Sequence, residues 1–398
     1  MSWPTAKLST VAPAVPFEGE LPDQEAYWLL NLDQVESHSG CVLTKLRAPK
    51  EEMGTSVHAF GEEHVLYSKL RPNLNKVVVP DEVGYCTSEL VPLLPNPKKL
   101  DRKYLAYYLR SDDFVNWAIG KTAGAKMPRL NMKLFGQSEI PLPSLATQKH
   151  IARVLEQADQ LRKQAQQMES ELNQLAQSLF LEMFGDLFRN PKAWPIVELS
   201  GLITQGPKNG LYKHADDYGA GSPIIRIDNF YDGELTNHST FKRVAATVAE
   251  LDKFKIDENS ILINRVNSPE YLGKAALVER LQEPTVFESN MMNFSVDTDR
   301  VNPLFLVTQL GSLYVKEQIR KASKDAVNQS SINQGDVQSF TVALPPIDYQ
   351  NKFARRLSEI RLVRSMCLES KAVVDEAFNS LMQRAFNGEL SAPERKAA

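Results

Sequence analysis

Cysteine is scarce in this sequence, and the few cysteines are not arranged to form disulfides or to hold a metal. The 398 residues include only Cys41, Cys86 and Cys367, none of them in a C-x-x-C pair, and the six histidines are scattered. A disulfide framework or a zinc site needs several suitably spaced ligands. We therefore expect buried free thiols and no metal site.

Long hydrophobic runs are missing as well. No stretch approaches the roughly 18 apolar residues that a membrane helix needs, and Pro13 and Pro16 interrupt the mildly apolar N-terminal segment, which argues against a secretory signal. Hydrophobic residues make up 42% and charged residues 24% of the chain, which is typical of a globular protein. We expect a cytoplasmic protein of two or three domains, each of roughly 100 to 200 residues.

The sequence also lacks the common motifs of catalysis and nucleotide binding. It has no G-x-x-x-x-G-K-S/T loop for ATP phosphates, no G-x-G-x-x-G turn for a dinucleotide and no Asn-Pro-Pro-Tyr-like tetrapeptide for adenine methylation. Pro80-Asp81 could begin a nuclease carboxylate cluster, but Glu89 is not followed by the lysine that such a cluster needs. These absences favour a binding protein with no catalytic residues over an enzyme.

Charge of one sign does not dominate the chain, since the formal net charge is −3. The charges are nevertheless uneven: Val11 to Thr44 has six acidic residues and no Lys or Arg, whereas Asp101 to Lys133 has seven basic residues and three acidic ones. A near-neutral total excludes a uniformly basic surface. Any contact with nucleic acid must therefore be local.

An internal repeat organises the chain into two copies. The matching pairs are Trp3-Pro4 with Trp194-Pro195, Leu32-Asp33-Gln34 with Ile227-Asp228-Asn229, and Leu142-Pro143 and Gln148 with Leu344-Pro345 and Gln350. Their offsets are 191, 195 and 202, and this steady growth is what a duplication with small insertions produces. Each copy has a mixed region with short β-like runs, a helical stretch (Tyr104 to Trp117 and Pro303 to Ile319), a Pro-rich boundary and a long helix. We therefore predict an α+β fold.

Each long helix carries apolar residues at alternating intervals of three and four, which is the heptad pattern of a coiled coil. The predicted seam consists of Ile151, Val154, Leu161, Met168, Leu172, Leu175 and Leu179 in the first helix, and Phe353, Ile360, Val363, Val374 and Leu381 in the second. The pattern predicts that the two helices form an antiparallel coiled coil with a pseudo-twofold relation between the copies. The alternative is that each helix packs only on its own domain.

Two polar and basic segments recur in both copies and are candidates for binding DNA. Lys and Arg neutralise phosphates, and Arg, Lys, Asn and Gln also read base edges. In the first copy the candidates are Lys69, Arg71, Asn73, Lys76, Lys121, Lys126, Arg129 and Lys133; in the second they are Asn264, Arg265, Lys274, Arg320, Lys324, Asn328, Gln329 and Ser330. For a single residue, simple surface solubility is an equally good explanation. The recurrence of the segments favours the functional interpretation.

Several of these segments resemble one protein family. The run Ile140 to Lys149, with Ala158 to Arg162 and Ser178 to Asp186, is similar to the central conserved region of the DNA specificity subunit of type I restriction-modification systems. Leu381 to Leu390 resembles the family's distal conserved region, and Leu66 to Pro72 and Tyr104 to Ser111 resemble its target-recognition domains. The second copy departs from the pattern at Arg356, at Ser370 and across Asn264 to Pro269.

The resemblance implies target-recognition domains at 1–143 and 191–343, conserved long helices at 144–190 and 344–390, and a C-terminal tail at 391–398. It also implies a non-catalytic subunit that reads a bipartite DNA target and docks two methyltransferase subunits and motor-nuclease subunits. S-adenosylmethionine, ATP and Mg²⁺ would then belong to those partners, with no cofactor and no metal in this chain and no contact with a membrane. The alternatives are a coiled-coil adaptor without nucleic-acid recognition and a self-sufficient DNA modification enzyme.

Overall fold

The chain forms two compact units in a computed structural model, which describes residues 3–390 except Glu20, Thr55, Ala125, Asn237, Val327 and Asn328. The first unit comprises Met1–Met168 and Cys367–Ala398, and the second comprises Glu169–Met366. The predicted tail, 391–398, lies outside the described residues.

The first unit contains short strands and four short helices, followed by the start of a long helix. Its strands are β1 Thr5–Lys7, β2 Tyr27–Leu30, β3 Leu46–Ala48, β4 Val57–Phe60, β5 Val65–Ser68, β6 Val77–Val78, β7 Gly84–Thr87, β8 Leu90–Leu93, β9 Thr122–Ala123, β10 Arg129–Leu130 and β11 Glu139–Pro141. Its helices are α1 Leu8–Val11, α2 Arg102–Arg110, α3 Asp112–Ile119, α4 Met132–Gln137, the first part of α5 Leu145–Phe184 and, from Cys367 on, the last part of the helix Ile347–Phe386.

Two small sheets form the centre of this unit. In the order β3-β2-β7-β4, β2 is antiparallel to β3 and parallel to β7; in the order β6-β5-β8, both neighbours are antiparallel to β5. The indole of Trp28 packs edge-on against Phe60, with ring centroids 5.2 Å apart. A second core lies between α2, α3 and the long helices and includes Tyr104, Phe114 and Ile151.

The second unit repeats these elements with additions. Its strands are β12 Ile196–Glu198, β13 Ile203–Asn209, β14 Tyr218–Ile225, β15 Phe230–Tyr231, β16 Glu234–Leu235, β17 Lys242–Val244, β18 Ile261–Asn264, β19 Val266–Asn267, β20 Ala275–Leu277, β21 Val286–Phe287, β22 Met291–Val296, β23 Lys324–Ala326, β24 Gln329–Ser331 and β25 Thr341–Ala343. Its helices are the last part of α5 from Glu169 on, α6 Val248–Phe254, α7 Pro303–Leu310, α8 Leu313–Ala322, α9 Gln334–Ser339 and the first part of α10 Ile347–Phe386.

The sheets of the second unit have the connections of the first. β14 is antiparallel to β17 and parallel to β21, as β2 is to β3 and β7, and β18 lies between β20 and β22, as β5 lies between β6 and β8. β12 pairs with β25 as β1 pairs with β11. These equivalences confirm the predicted α+β fold and its internal repeat.

One buried glutamine per copy ties the long helix to its globular part. The Gln148 side chain donates to the carbonyls of Lys99 and Pro143 and accepts from the amide of Asp101, at 2.8–2.9 Å. Gln350 makes the same three bonds in the second copy, to Arg300, Pro345 and Asn302, at 2.7–3.1 Å. Both glutamines are fully buried, so each amide satisfies main-chain groups that would otherwise lack partners.

The predicted helical stretches are each interrupted by a serine. Ser111 caps the N-terminus of α3 by accepting from the amide of Phe114, and Ser312 caps α8 by accepting from that of Val315. A serine hydroxyl at this position satisfies an amide that has no partner within the helix. Each predicted single helix is therefore two short helices.

The two long helices run antiparallel to each other within each unit. In the first unit, Ile151 lies in one core with Phe378 and Met382, and Cys367 donates its thiol to the carbonyl of Ala165 at 3.6 Å. In the second unit, Phe180 of α5 packs against Phe353 of α10, and Arg364 donates to the side-chain oxygen of Asn173 at 3.1 Å. Partner numbers fall as the α5 number rises, which confirms the predicted antiparallel pair.

The predicted seam is right at some positions and wrong at others. Ile151, Leu172, Leu179, Phe353, Ile360, Val374 and Leu381 are buried or half-buried. The prediction is wrong at the intervening positions. Leu161, Met168, Leu175 and Val363 are 47–55% exposed. Val154 is half-buried, and its neighbour Leu155 is the fully buried residue there. The contacting residues lie one position later, as Arg162 and Arg364 show. The apolar pattern could not predict these contacts, because arginine is not an apolar residue.

Candidate nucleic-acid interface

The two candidate segments of the first copy meet in space. The amide of Arg71 donates to the carbonyl of Pro128, and the amide of Leu130 donates to that of Lys69, both at 2.8 Å. Arg71 adopts a left-handed backbone conformation (φ 48°) that turns the chain at this point. We call the described residues of 69–76 and 121–133 together the first polar loop surface.

Five of its eight predicted DNA-binding residues are exposed and form no ion pair with any described residue. They are Arg71, Asn73, Lys121, Lys126 and Lys133. The Arg71 guanidinium reaches the carbonyl of Lys126, with Nη2 3.4 Å from the oxygen, so it stays next to the adjoining loop. Long exposed cations of this kind are suited to phosphate oxygens.

Arg129 and Lys69 have acidic or buried surroundings that reduce their availability. Arg129 forms a bidentate pair with Glu89, at 2.9–3.1 Å, and these hydrogen bonds raise the pKa of Arg129. Lys69 is half-buried; burial and the charge of Lys69 together lower the pKa of His58. An anion would have to compete with Glu89 for Arg129.

Lys76 and Lys274 point into the fold, so the prediction that they bind DNA is wrong. The ammonium of Lys76 donates to the carbonyl of Leu32 at 2.6 Å, and that of Lys274 donates to the carbonyl of Ile227 at 2.8 Å. Lys274 also lies over the rings of Phe230, Tyr231 and Tyr271, with its nitrogen 4.0–5.5 Å from their centroids. Burial lowers the pKa of Lys274 in spite of Asp228 and Asp232. We remove both lysines from the predicted interface.

The second copy brings its two segments together in the same way. The amide of Ile332 donates to the carbonyl of Arg265 at 2.9 Å, the counterpart of the Leu130 to Lys69 bond. β19 pairs with β24, so that Val266 lies opposite Ser331 and Asn267 opposite Ser330. We call the described residues of 264–274 and 320–333 together the second polar loop surface.

The candidates of the second polar loop surface differ in accessibility. Asn264 is fully buried and donates to the carbonyl of Tyr271 at 3.4 Å; Arg265 is half-buried and donates to that of Ser289 at 3.2 Å. Both side chains stabilise the loop through these bonds, so the prediction that they contact DNA is wrong. Arg320 is exposed but paired with Glu317. Lys324 and Gln329 are exposed, Ser330 is buried, and Asn328 lies outside the described residues.

Sequence reasoning missed Met127, an apolar residue of the first polar loop surface. Its side chain is 47% exposed and lies between Lys126 and Pro128. An exposed apolar group among cations can contact the methyl group of thymine. Only its exposure distinguishes it, and the sequence gives no indication of that.

Metal binding and membrane insertion find no support in the described part of the chain. Its residues include no group of three or more His, Cys, Asp or Glu side chains placed to bind a metal ion. Every helix among them is too short or too polar to span a bilayer. Cys86 and Cys367 are buried free thiols, and Cys41 is half-buried.

These features define a class of protein with two similar α+β parts, each bearing a polar loop surface, on a pair of long helices. The chain belongs to the family of the type I restriction modification DNA specificity domain, whose model matches residues 65–174 and 191–364. The two matched segments fall in the two copies of the repeat.

Curated relatives carry the same description. The type I restriction enzyme EcoKI specificity subunit of Escherichia coli K12 is 23% identical over 309 residues, covering 73% of this chain and 66% of the relative. The StySPI specificity subunit of Salmonella potsdam is 24% identical over 314 residues, covering 75% and 67%. The chain thus spans about two thirds of the length of these relatives.

Solved structures share the fold over nearly the whole chain. The type I restriction-modification system S subunit from M. genitalium has a TM-score of 0.63 at 14% identity, covering 97% of this chain and 96% of the other. A chain from work on complex assembly and conformational transition of the type I R-M system has a TM-score of 0.53 at 16% identity, covering 98% of each.

Family membership confirms the prediction of a DNA specificity subunit, the non-catalytic recognition component of its system. It does not favour the two alternatives, an adaptor without nucleic-acid recognition and a self-sufficient modification enzyme.

Proposed function

We propose that this chain reads a bipartite double-stranded DNA sequence, with one polar loop surface for each part of the target. The observation that carries this proposal is that the same two segments meet in both copies through equivalent bonds, Leu130 to Lys69 and Ile332 to Arg265. A single duplicated contact surface suits a target with two separated parts. The recognition modules are residues 1–143 and 191–343, and the long helices set the distance between the two parts of the target.

The side chains divide into those suited to phosphates and those suited to bases. Arg71, Lys121, Lys126 and Lys133 are exposed cations that position the protein on the DNA backbone. Asn73 and Gln329 are exposed amides that pair with adenine edges. Most of the affinity is then electrostatic, and the amides and loop shapes select the sequence.

Partner subunits are expected on the exposed apolar faces of the long helices. Leu161, Met168 and Leu175 follow one another at intervals of seven along one face of α5, and each is at least 51% exposed; on α10, Leu362, Met366 and Val373 are 62–67% exposed. Contiguous exposed apolar groups mark surfaces that other proteins cover. The proposed occupants are two methyltransferase subunits and motor-nuclease subunits, which would bind S-adenosylmethionine, ATP and Mg²⁺ in a cytoplasmic complex.

Module exchange tests this function. Replacing Pro191 to Ala343 with the matching segment of a homologue is expected to change one part of the methylated sequence and to leave the other part intact. The measurement is methylome sequencing of cells that express the variant with its methyltransferase. The reciprocal exchange of 1–143 is the matched control and should change the other part. Changes in both parts from one exchange would contradict separate reading.

A mobility shift distinguishes the adaptor alternative. The chain is assembled with its methyltransferase subunits. This complex is expected to bind a duplex that contains its target sequence more tightly than a scrambled duplex of the same composition. An adaptor would show no such preference.

A further inference from the structure

Equivalent positions of the two long helices carry opposite charges. Asp159 of α5 and Arg361 of α10 are separated by 202 residues, which is the offset of the buried glutamines Gln148 and Gln350. Arg162 and Arg364 keep the same offset and the same charge. Both copies direct the side chain at this reversed position toward their own globular part.

In the first unit, Arg110 joins Asp159 to a turn of the globular part. Asp159 is only 6% exposed, and Nη1 of Arg110 lies 3.6 Å from its Oδ2. Nη2 of Arg110 donates to the carbonyl of His38 at 3.1 Å, where the chain turns with a φ of 66°. Arg162 and Lys163 also lie within 3.7 Å of the Asp159 carboxylate. The Arg110 guanidinium of α2 thus contacts both the turn at His38 and the long helix at Asp159.

In the second unit, the guanidinium comes from the long helix instead. Nη2 of Arg361 donates to the carbonyl of Asp232 at 3.0 Å, in a turn with a φ of 50°, and its Nε lies 3.3 Å from Oε1 of Glu234. A Cβ at Gly233 would lie 3.0 Å from Nη2 of Arg361 and 2.9 Å from Val307. The β15–β16 turn therefore rests directly on the guanidinium. Arg364 is a second cation beside it, paired with Glu234 and Asp232.

The two copies thus use one geometry with the charges exchanged. His38 and Asp232 follow the equivalent runs Leu32-Asp33-Gln34 and Ile227-Asp228-Asn229, and each accepts, through its turn carbonyl, a hydrogen bond from a half-buried guanidinium. In the first copy the module supplies the cation and the helix the anion; in the second the helix supplies the cation and the module the anions.

We propose that Arg110–Asp159 and Arg361–Asp232/Glu234 are orientation clamps, which fix each recognition module on its own helix and match each module to that helix alone. The proposal rests on the proposed function, because orientation matters only if both modules must fit one DNA duplex. The clamp residues are positioning residues that act through the turns at 38 and 232. The side chains of Arg110 and Arg361 are only 9% and 12% exposed. Largely buried charges of this kind give specificity of pairing, since a like charge placed opposite them has little access to water.

Charge-neutral variants test the clamps without introducing repulsion. The first set is Arg110→Met, Asp159→Asn and the double variant, and the second is Arg361→Met, Glu234→Gln and the double variant. The matched control is Lys103→Met with Glu156→Gln, an exposed ion pair between the same helices α2 and α5. Every variant is assembled with the methyltransferase subunits. Two quantities are then measured: the affinity of the complex for DNA that contains the target sequence, and the hydrogen exchange of peptides 36–41 and 230–235.

Each single clamp variant is expected to raise exchange in its own turn and to weaken specific binding by about tenfold, a coupling typical of residues in one ion-pair network. Each double variant should lose little more than its singles, and the control should change neither quantity. Unchanged exchange and affinity in every clamp variant would overturn the proposal, as would equal effects in the control. A wild-type complex with no sequence preference would contradict the proposed function, while the exchange data would still decide on the clamps.

Discussion

Lys76 and Lys274 occupy equivalent positions in the two copies, and both ammonium groups bind a main-chain carbonyl. Lys121, Lys126 and Lys133 are as cationic but extend into solvent. The sequence could not separate these two groups, because a lysine near Gly, Asn and Pro has the same composition whether its stem lies along the surface or folds over a loop. What the sequence did contain was the recurrence of Lys76 as Lys274, which now indicates a conserved fold of the loop and not a shared contact with DNA.

The exposed lysines give a prediction about salt. Changing Lys121, Lys126 and Lys133 to Gln should weaken binding to specific and scrambled DNA alike, because each phosphate contact contributes about 0.9 to the slope of log affinity against log salt concentration. The slope should fall by as much as about 2.7 in a salt titration of the assembled complex. Lys50→Gln, Lys98→Gln and Lys99→Gln together form the control, since these exposed lysines lie outside both polar loop surfaces. An unchanged slope would place the three lysines away from the DNA.

The inward lysines give the opposite prediction. Lys76→Met or Lys274→Met keeps the apolar stem and removes a charge-assisted hydrogen bond, which should lower the free energy of unfolding by about 1 to 3 kcal/mol. Urea denaturation measures this loss. The salt slope of DNA binding by the folded variant should stay at its wild-type value, and a reduced slope would restore these lysines to the interface.

At the scale of elements, the helix pair shows what periodicity can predict. The helices and the seam positions at intervals of seven follow from the apolar pattern, because positions such as Ile151 and Phe353 or Leu179 and Leu381 are apolar in both helices. The other seam positions do not follow from it, because Arg162 stacks on Phe378 with its guanidinium carbon 4.4 Å from the ring centroid and donates to Asp375 at 2.7 Å. A cation over an aromatic ring fills a seam position that hydropathy assigns to solvent.

The corrected seam predicts which substitutions disrupt the helix pair. Phe378→Ala removes a side chain that is 5% exposed and should lower the free energy of unfolding by about 3 to 5 kcal/mol. Leu161→Asp changes a side chain that is 55% exposed and should alter stability by no more than about 0.5 kcal/mol. Thermal unfolding of the isolated chain compares the two variants. A larger loss for Leu161→Asp would return this leucine to the seam.

At the scale of the whole molecule, the duplication was readable because Pro-rich boundaries and single motifs recur in order, whereas the loops that bind were only partly readable. Asn264 and Arg265 belong to a recurring polar segment, yet a strand end buries the first and a carbonyl holds the second. Burial of this kind depends on pairing between strands that are distant in sequence. Motifs therefore predicted where the surface lies, and only the fold showed which side chains reach it.

The long helices predict a measurable distance in the target. Inserting four residues after Gln166 of α5 and four after Leu368 of α10, which lie near the Ala165 to Cys367 contact, lengthens each helix by about 6 Å and rotates it about 40° beyond a full turn. DNA rises about 3.4 Å and turns roughly 35° per base pair. The same two half-sites are expected with a spacer longer by one or two base pairs. Methylome sequencing decides, and an unchanged spacer would show that another feature sets the distance.

The opposite charges of Asp159 and Arg361 also bear on how such genes can recombine. A crossover that copied the gene segment for residues 1–143 into the place of 191–343 would preserve the reading frame and the Pro-rich junction, yet it would set a copy of Arg110 against Arg361. The descendant would inherit a module whose half-buried Arg110 faces a second half-buried cation. Lineages that carry two copies of one module are therefore expected to hold an acidic residue at position 361, and the charge there records which exchanges a gene has been able to accept.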